Sequence, residues 1–262
     1  MNQHRITPLT ESGLLAALTV VLALAAVYLP VVGIVAALIW ALPLIVLVVR
    51  HGMRWGVMAV VVSGIIMALL IEPMLSLRMV ISFAPTGLAL GYAFHKGWSG
   101  GKTFGMALAA SLLGKLAALG LLFAVTAVNP LSMEVDVVRE SFDTAFQMYE
   151  TMGIDAATLQ QSREEIENGL GMLAMLMPLV VIMMGMVDTV IGYMVGSRVL
   201  RRLGMPVSQF PPFAEWRLPQ FFLYLFGFAL VGLYWGGTRD IQPLYQAALN
   251  ANMLATFAGL IQ

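Results

Sequence analysis

ESGLLAALTVVLALAAVYLPVVGIVAALIWALPLIVLVVR, Glu11–Arg50, decides the fold class, because no charged residue lies between its two ends. About 20 apolar helical residues cross the roughly 30 Å of bilayer hydrocarbon. Two such runs, Leu14–Leu29 and Val31–Val49, follow each other here across Pro30–Gly33. A joint so short and apolar is not a solvated loop, so the pair reads as a tight helical hairpin. Neither run is a cleavable signal peptide, since no small-residue cleavage site precedes Tyr28-Leu29-Pro30 and a second run follows at once. Barrel strands would alternate apolar and polar residues, whereas these runs are apolar on every side.

The same texture recurs at Gly56–Ile71, Met79–Phe94, Phe104–Val128, Leu170–Ser197 and Phe221–Gly237, which brings the expected spans to seven. An eighth run, Leu244–Gln262, carries Gln246, Asn250 and Asn252 and has no basic residue after it. It reads as an incomplete eighth span, with an external interfacial helix as the other reading. The composition agrees: of 262 residues 60% are apolar and 11% charged, with mean hydropathy +0.88, against about 25% charged in soluble domains. Net charge is zero, which argues against nucleic acid as a partner. Without cysteine there is no disulfide, thiolate catalyst or cysteine-based zinc site. The expected fold is all-α: a polytopic transmembrane helical bundle over 1–202, a loop at 203–219 and C-terminal spans over 220–262.

Lysine and arginine set the orientation. With the N-terminus in the cytoplasm, nine basic residues fall inside (Arg5, Arg50, Arg54, Lys96, Lys102, Arg198, Arg201, Arg202 and Arg217), against Arg78, Arg139, Arg163 and Arg239 outside. Eleven acidic residues fall outside, against Glu11 and Glu215 inside. The chain is therefore expected to be a multi-pass protein of the bacterial cytoplasmic membrane, with the lipid bilayer as its first partner.

Two connections are long. In the external one, 129–169, Val138, Phe142, Ala145, Tyr149 and Met152 recur at helical spacing, Gly153 ends that helix and Asp155 caps the next. The second helix is expected to run straight into the span at Leu170. The pair reads as a lid with a solvated acidic face, or as a gate that filters ligands by charge. The cytoplasmic connection holds Pro206, Pro211, Pro212 and Pro219, which deny it a continuous helix. Its Phe210, Phe213 and Trp216 suit the headgroup layer, as an interfacial anchor or a docking strip.

Catalytic chemistry is absent at motif level, so no enzyme activity is expected. The stretch Gly97–Thr103 imitates a phosphate-binding loop, but Lys96 stands where its first glycine belongs and no strand precedes it. His4, His51 and His95 lie in separate cytoplasmic segments without metal-ligand spacing, so no metal and no cofactor is expected. Glycine pairs at Gly52-xxx-Gly56, Gly87-xxx-Gly91 and Gly192-xxx-Gly196 offer close-packing faces, for the bundle itself or for a second subunit. Lys115 and Asp188 stand inside spans, Asp188 ten residues before Arg198, or about 15 Å of rise. A central charge costs about 2.5–3.5 kcal/mol on insertion scales, so the two are expected to face each other. Their role is a static packing pair, or a contact for a substrate or coupling ion.

Thr10–Pro30, Arg50–Ile65, Gly87–Trp98 and Arg201–Pro219, above all Pro-Pro-Phe-x-Glu-Trp-Arg-Leu-Pro at Pro211–Pro219, resemble the YybS-like family of bacterial membrane proteins. Members usually continue through a final span with a basic tail, which is missing here, so the resemblance favours the reading of the eighth run as an incomplete span. The first six spans are in turn similar to the S component of energy-coupling-factor (ECF) vitamin transporters. That likeness implies a six-helix bundle holding a small solute near its outer mouth. It also implies a first helix that docks, through Gly13, Ala16, Ala17 and Ala23, on a transmembrane coupling subunit driven by ATPases. Strict Ala-xxx-Ala spacing is missing from the first span, and no ATP-binding motif occurs in the chain. The expected function is a small-solute binding and transport subunit; the alternative is a non-transporting scaffold or regulatory membrane protein.

Overall fold

The computed structural model describes residues 8–205, 207 and 220–260. Its helices are α1 (Pro8–Tyr28), α2 (Pro30–Ile39), α3 (Leu42–His51), α4 (Met53–Leu70), α5 (Pro73–His95), α6 (Gly100–Thr126), α7 (Pro130–Thr151), α8 (Ala156–Arg202), α9 (Phe221–Thr238) and α10 (Gln242–Leu260). Among the described residues seven segments are long and apolar enough to cross a membrane, including Val31–His51, which joins α2 to α3, and Leu159–Arg202. The chain is an all-α polytopic bundle. It forms two compact units, Met1–Leu121 with Met183–Pro211, and Leu122–Ile182 with Pro212–Gln262.

In the first unit α3 is the central post. Every residue from Pro43 to Val48 is buried, as suits a helix that is apolar all round. The second span, expected as one helix, is broken at Trp40–Ala41. Pro43 has no N–H for the carbonyl four residues back, so the ladder restarts there. Trp40 turns the break to use: its ring lies edge-on to Phe83, and its indole N–H donates to the Thr19 carbonyl of α1 at 2.9 Å.

Glycines let α5 and α8 reach this post. A Cβ on Gly91 would stand 2.6 Å from Val48 Cβ, and one on Gly87 3.2 Å from Ala41. Gly192 faces Leu90 of α5, and Gly196 faces Ile45 of α3. The third expected pair divides. Gly56 packs on Val48, whereas Gly52, at φ 90° between α3 and α4, serves the turn.

In the second unit α7 and the first half of α8 form the expected helical pair, and α8 continues into its span as one 47-residue helix. Asn129 caps α7 by accepting from the Leu131 N–H at 3.0 Å, and Gly153, at φ 82°, turns the chain toward α8. The buried stripe of α7 is not the one read from the sequence. Val135 is buried with Leu131 and Val138 packed beside it, and Phe146 is buried too; of the expected stripe Val138 is thus kept, while Phe142, Tyr149 and Met152 are exposed. Leu170 and Met177 of α8 select the stripe by lying against Val135.

The eighth run is a regular 19-residue helix, α10. It folds back antiparallel along α9, where Gly232 meets Ala248 and Gly236 meets the backbone of Tyr245. Two of its polar residues are docked on α8, Gln246 donating to the Met175 carbonyl at 3.3 Å and Asn250 bonding on both sides of Pro178.

Candidate functional site: a buried ion pair

Two helix approaches in the first unit build the site. Where α6 passes α5, a Cβ on Gly114 would stand 2.7 Å from the Ile81 carbonyl and 3.1 Å from the Pro85 ring, so only glycine fits. That carbonyl is the one Pro85 cannot serve, and the close pass sets the next residue, Lys115, beside α5. Where α8 passes α6, Gly185 meets Leu112, with Ser111 Oγ 3.5 Å from its would-be Cβ. One turn later Asp188 comes level with Lys115.

The Lys115 ammonium is bonded to the Asp188 carboxylate. It also donates to Ser111 Oγ at 3.3 Å, and it lies 5.0 Å from the centre of the Phe83 ring. The Lys115 side chain is 7% exposed and that of Asp188 13%. Carboxylate, hydroxyl and aromatic face together supply what an ammonium loses by leaving water. Thr189, beside Asp188, gives its hydroxyl to the Gly185 carbonyl at 2.8 Å. Thr86, one turn beyond Phe83 on α5, is 2% exposed and its hydroxyl has no hydrogen-bond partner among the described residues. Chemically the cluster offers one cation and one anion between spans. An ammonium and a carboxylate can each take a new partner of opposite charge.

The structure thus brings Lys115 and Asp188 together and adds Ser111 and Phe83, which sequence reasoning missed. Ser111 had a usable signal, since it precedes Lys115 by four residues and so shares its helix face. Phe83 had none, because only the α5–α6 approach places it.

The expected docking face on α1 divides. Gly13 and Ala17 are exposed, but Ala16 (3% exposed) and Ala23 (0%) pack in the core with Trp40 and Leu44. Residues three apart on a helix diverge by about 60°, enough to send Ala16 inward while Gly13 stays out. Gly87, Gly91, Gly192 and Gly196 are in packing contacts already described. Phe210, Phe213 and Trp216 lie outside the described residues. At the end of the unit where α3 and α5 finish, Glu11 of α1 is bonded to Arg50 and lies 2.8 Å from His51 Nε2. The His95 Nδ1–H donates to the Val49 carbonyl at 2.9 Å. Both histidines thus have protein partners at the ends of their helices.

The family model described as "Predicted membrane protein (DUF2232)" matches residues 17–262, and the chain belongs to that family. It is 25% identical over 266 residues to the "Uncharacterized protein YybS" of Bacillus subtilis (strain 168), covering 100% of this chain and 83% of the relative. No solved structure matches the chain.

Proposed function

We propose that this member of the DUF2232 membrane proteins is a non-enzymatic, small-solute binding subunit of a transport system, resembling the S component of ECF transporters. It sits in the bacterial cytoplasmic membrane with its N-terminus inside. The observation that supports this reading is the Lys115–Asp188 pair. Ionisable residues inside spans are costly and mark solute or ion pathways more often than packing alone explains. A polar solute would take its place by exchange, its anionic group on Lys115 and its donor group on Asp188. With no ATP-binding motif in the sequence, active transport would borrow ATPases through a coupling subunit. The part of α1 left open for such a subunit is the face with Gly13 and Ala17.

The experiment is mass spectrometry of the molecules that leave with gently extracted protein, followed by thermal stabilisation of the protein by those solutes. The expected result is stabilisation by one chemical class, lost when Lys115→Met and Asp188→Leu are combined. Equal response of wild type and double variant, or no co-purifying solute at all, sinks the reading. The scaffold alternative draws support from the exposed Phe142, Tyr149 and Met152 of α7. It expects extraction with proteins and no solute.

A further inference from the structure

The first unit has a cleft of about 780 Å³ at the end where α3, α5 and α8 finish, remote in sequence from Lys115. Its walls are Val49, Phe94, Met205 and Val207, and its polar members are Arg50 and His95. We propose that this cleft is a binding site for the phosphate group of an anionic phospholipid, held by Arg50 and His95 with the glycerol end of the lipid against the apolar wall.

Three observations carry the proposal. The first is donor supply. Arg50 commits Nη1 to Glu11, while its guanidinium carries five N–H donors and its side chain is 36% exposed. The carbonyl of Val49 can only accept, so His95 must hold its proton on Nδ1. Its Nε2 therefore faces no partner among the described residues. In its charged form the ring carries a second N–H, on Nε2, which is the donor offered to a phosphate.

The second observation is the field. Arg54, Lys96, Lys102, Arg198, Arg201 and Arg202 stand at the same helix ends as Arg50, with Glu11 as the acidic residue among the described ones there. Such an excess draws anions, and basic pockets between spans are where anionic headgroups settle.

The third is the apolar wall, which chooses between sources. A free phosphate ion needs only donors, and Val49, Phe94, Met205 and Val207 would give it nothing. An amphiphile uses both halves of the cleft. Its level fits too: these residues end spans, so the cleft opens at headgroup depth.

The test uses full-length protein in a neutral detergent, with melting temperature and native mass spectrometry as readouts. Three probes are titrated: phosphatidylglycerol, phosphatidylcholine with the same acyl chains, and inorganic phosphate. Phosphatidylglycerol is expected to raise the melting temperature by several degrees and to remain bound in the gas phase, and phosphatidylcholine to do neither. Val207→Trp, which fills the cleft, and His95→Leu, which removes a donor, should each weaken the phosphatidylglycerol response by about tenfold in apparent affinity. Their melting temperatures without lipid show whether each variant is folded. Equal responses to the two lipids, or full response in both folded variants, overturn the proposal. A full response to inorganic phosphate at the same concentration keeps a phosphate site but overturns the lipid as its occupant.

Discussion

Asn250 of α10 accepts the backbone N–H of Leu179 in α8 at 2.9 Å, while its own amide donates to the Met175 carbonyl at 2.7 Å. Those two backbone groups are the ones an undisturbed α-helix bonds to each other. Pro178 lies between them, and its ring crowds the preceding turn. One side-chain amide thus serves α8 as an extra peptide group at its proline, in a helix that has little water to turn to.

Replacing Asn250 by Leu should therefore cost more than its volume suggests. The buried N–H of Leu179 loses its partner, at about 1–3 kcal/mol for an unsatisfied group, and the Met175 carbonyl is left with Gln246 alone at 3.3 Å. The expected loss is about 2 kcal/mol, read as a lower unfolding midpoint in mixed micelles. Asn250→Asp keeps the acceptor but not the donor to Met175, and should lie between. A loss below about 0.3 kcal/mol for Asn250→Leu would show that α8 satisfies these groups alone.

Lys115→Met and Asp188→Leu should each damage folding, by about 3–5 kcal/mol, because each leaves an uncompensated buried charge. The double substitution removes both charges and should recover most of the loss, read as folded yield by size-exclusion chromatography. Additive damage in the double variant would mean that the contact contributes nothing to stability.

Gly236→Ala puts a Cβ 2.7 Å from the Tyr245 nitrogen and 2.8 Å from its Cα, and backbone cannot yield as a side-chain tip can. The α9–α10 hairpin should lose about 1–3 kcal/mol. Gly120→Ala in α6 meets nothing within 4 Å. That variant should be neutral or gain up to about 1 kcal/mol. Comparable losses in both would mean that α10 is not seated on α9 through Gly236.

Phe146 and Phe142 of α7 form a matched pair for comparison. Phe146 is buried and lies 5.1 Å from the Arg163 guanidinium, which also bonds Glu150 at 3.0 Å. Its replacement by Ala should cost about 3–5 kcal/mol. Phe142→Ala, at an exposed position, should stay within about 0.5 kcal/mol. The reverse order in thermal melts would restore the stripe first read from the sequence.

The chain has no cysteine of its own, so single cysteines report topology without background. A membrane-impermeant maleimide should label Ser162→Cys in intact cells, but Ser99→Cys only after permeabilisation, given the nine-to-four bias of basic residues. Labelling of both from the same side in intact cells rules that orientation out.

The seven apolar segments of spanning length, the all-α class and the place of Lys115 and Asp188 within those segments were legible in the chain, because lipid solvent acts on one residue at a time. A charge or a run of Leu and Val carries its cost wherever its neighbours lie. The turn at Gly153 was local for the same reason. Facing was not local. Every side of Leu14–Leu29 is apolar, so hydropathy could not tell that Ala16 and Ala23 turn inward while Ala17 meets the outside; Trp40 and Leu44, brought by α3, decided it. On α7 the spacing pointed to the stripe with Phe142, Tyr149 and Met152, and Leu170 and Met177 of α8 selected Val135 instead. Asn250 and Gln246 lowered the standing of the eighth run because a polar side chain in lipid counts as a cost by itself. Only the approach of α10 to Pro178 turned that cost into a bond.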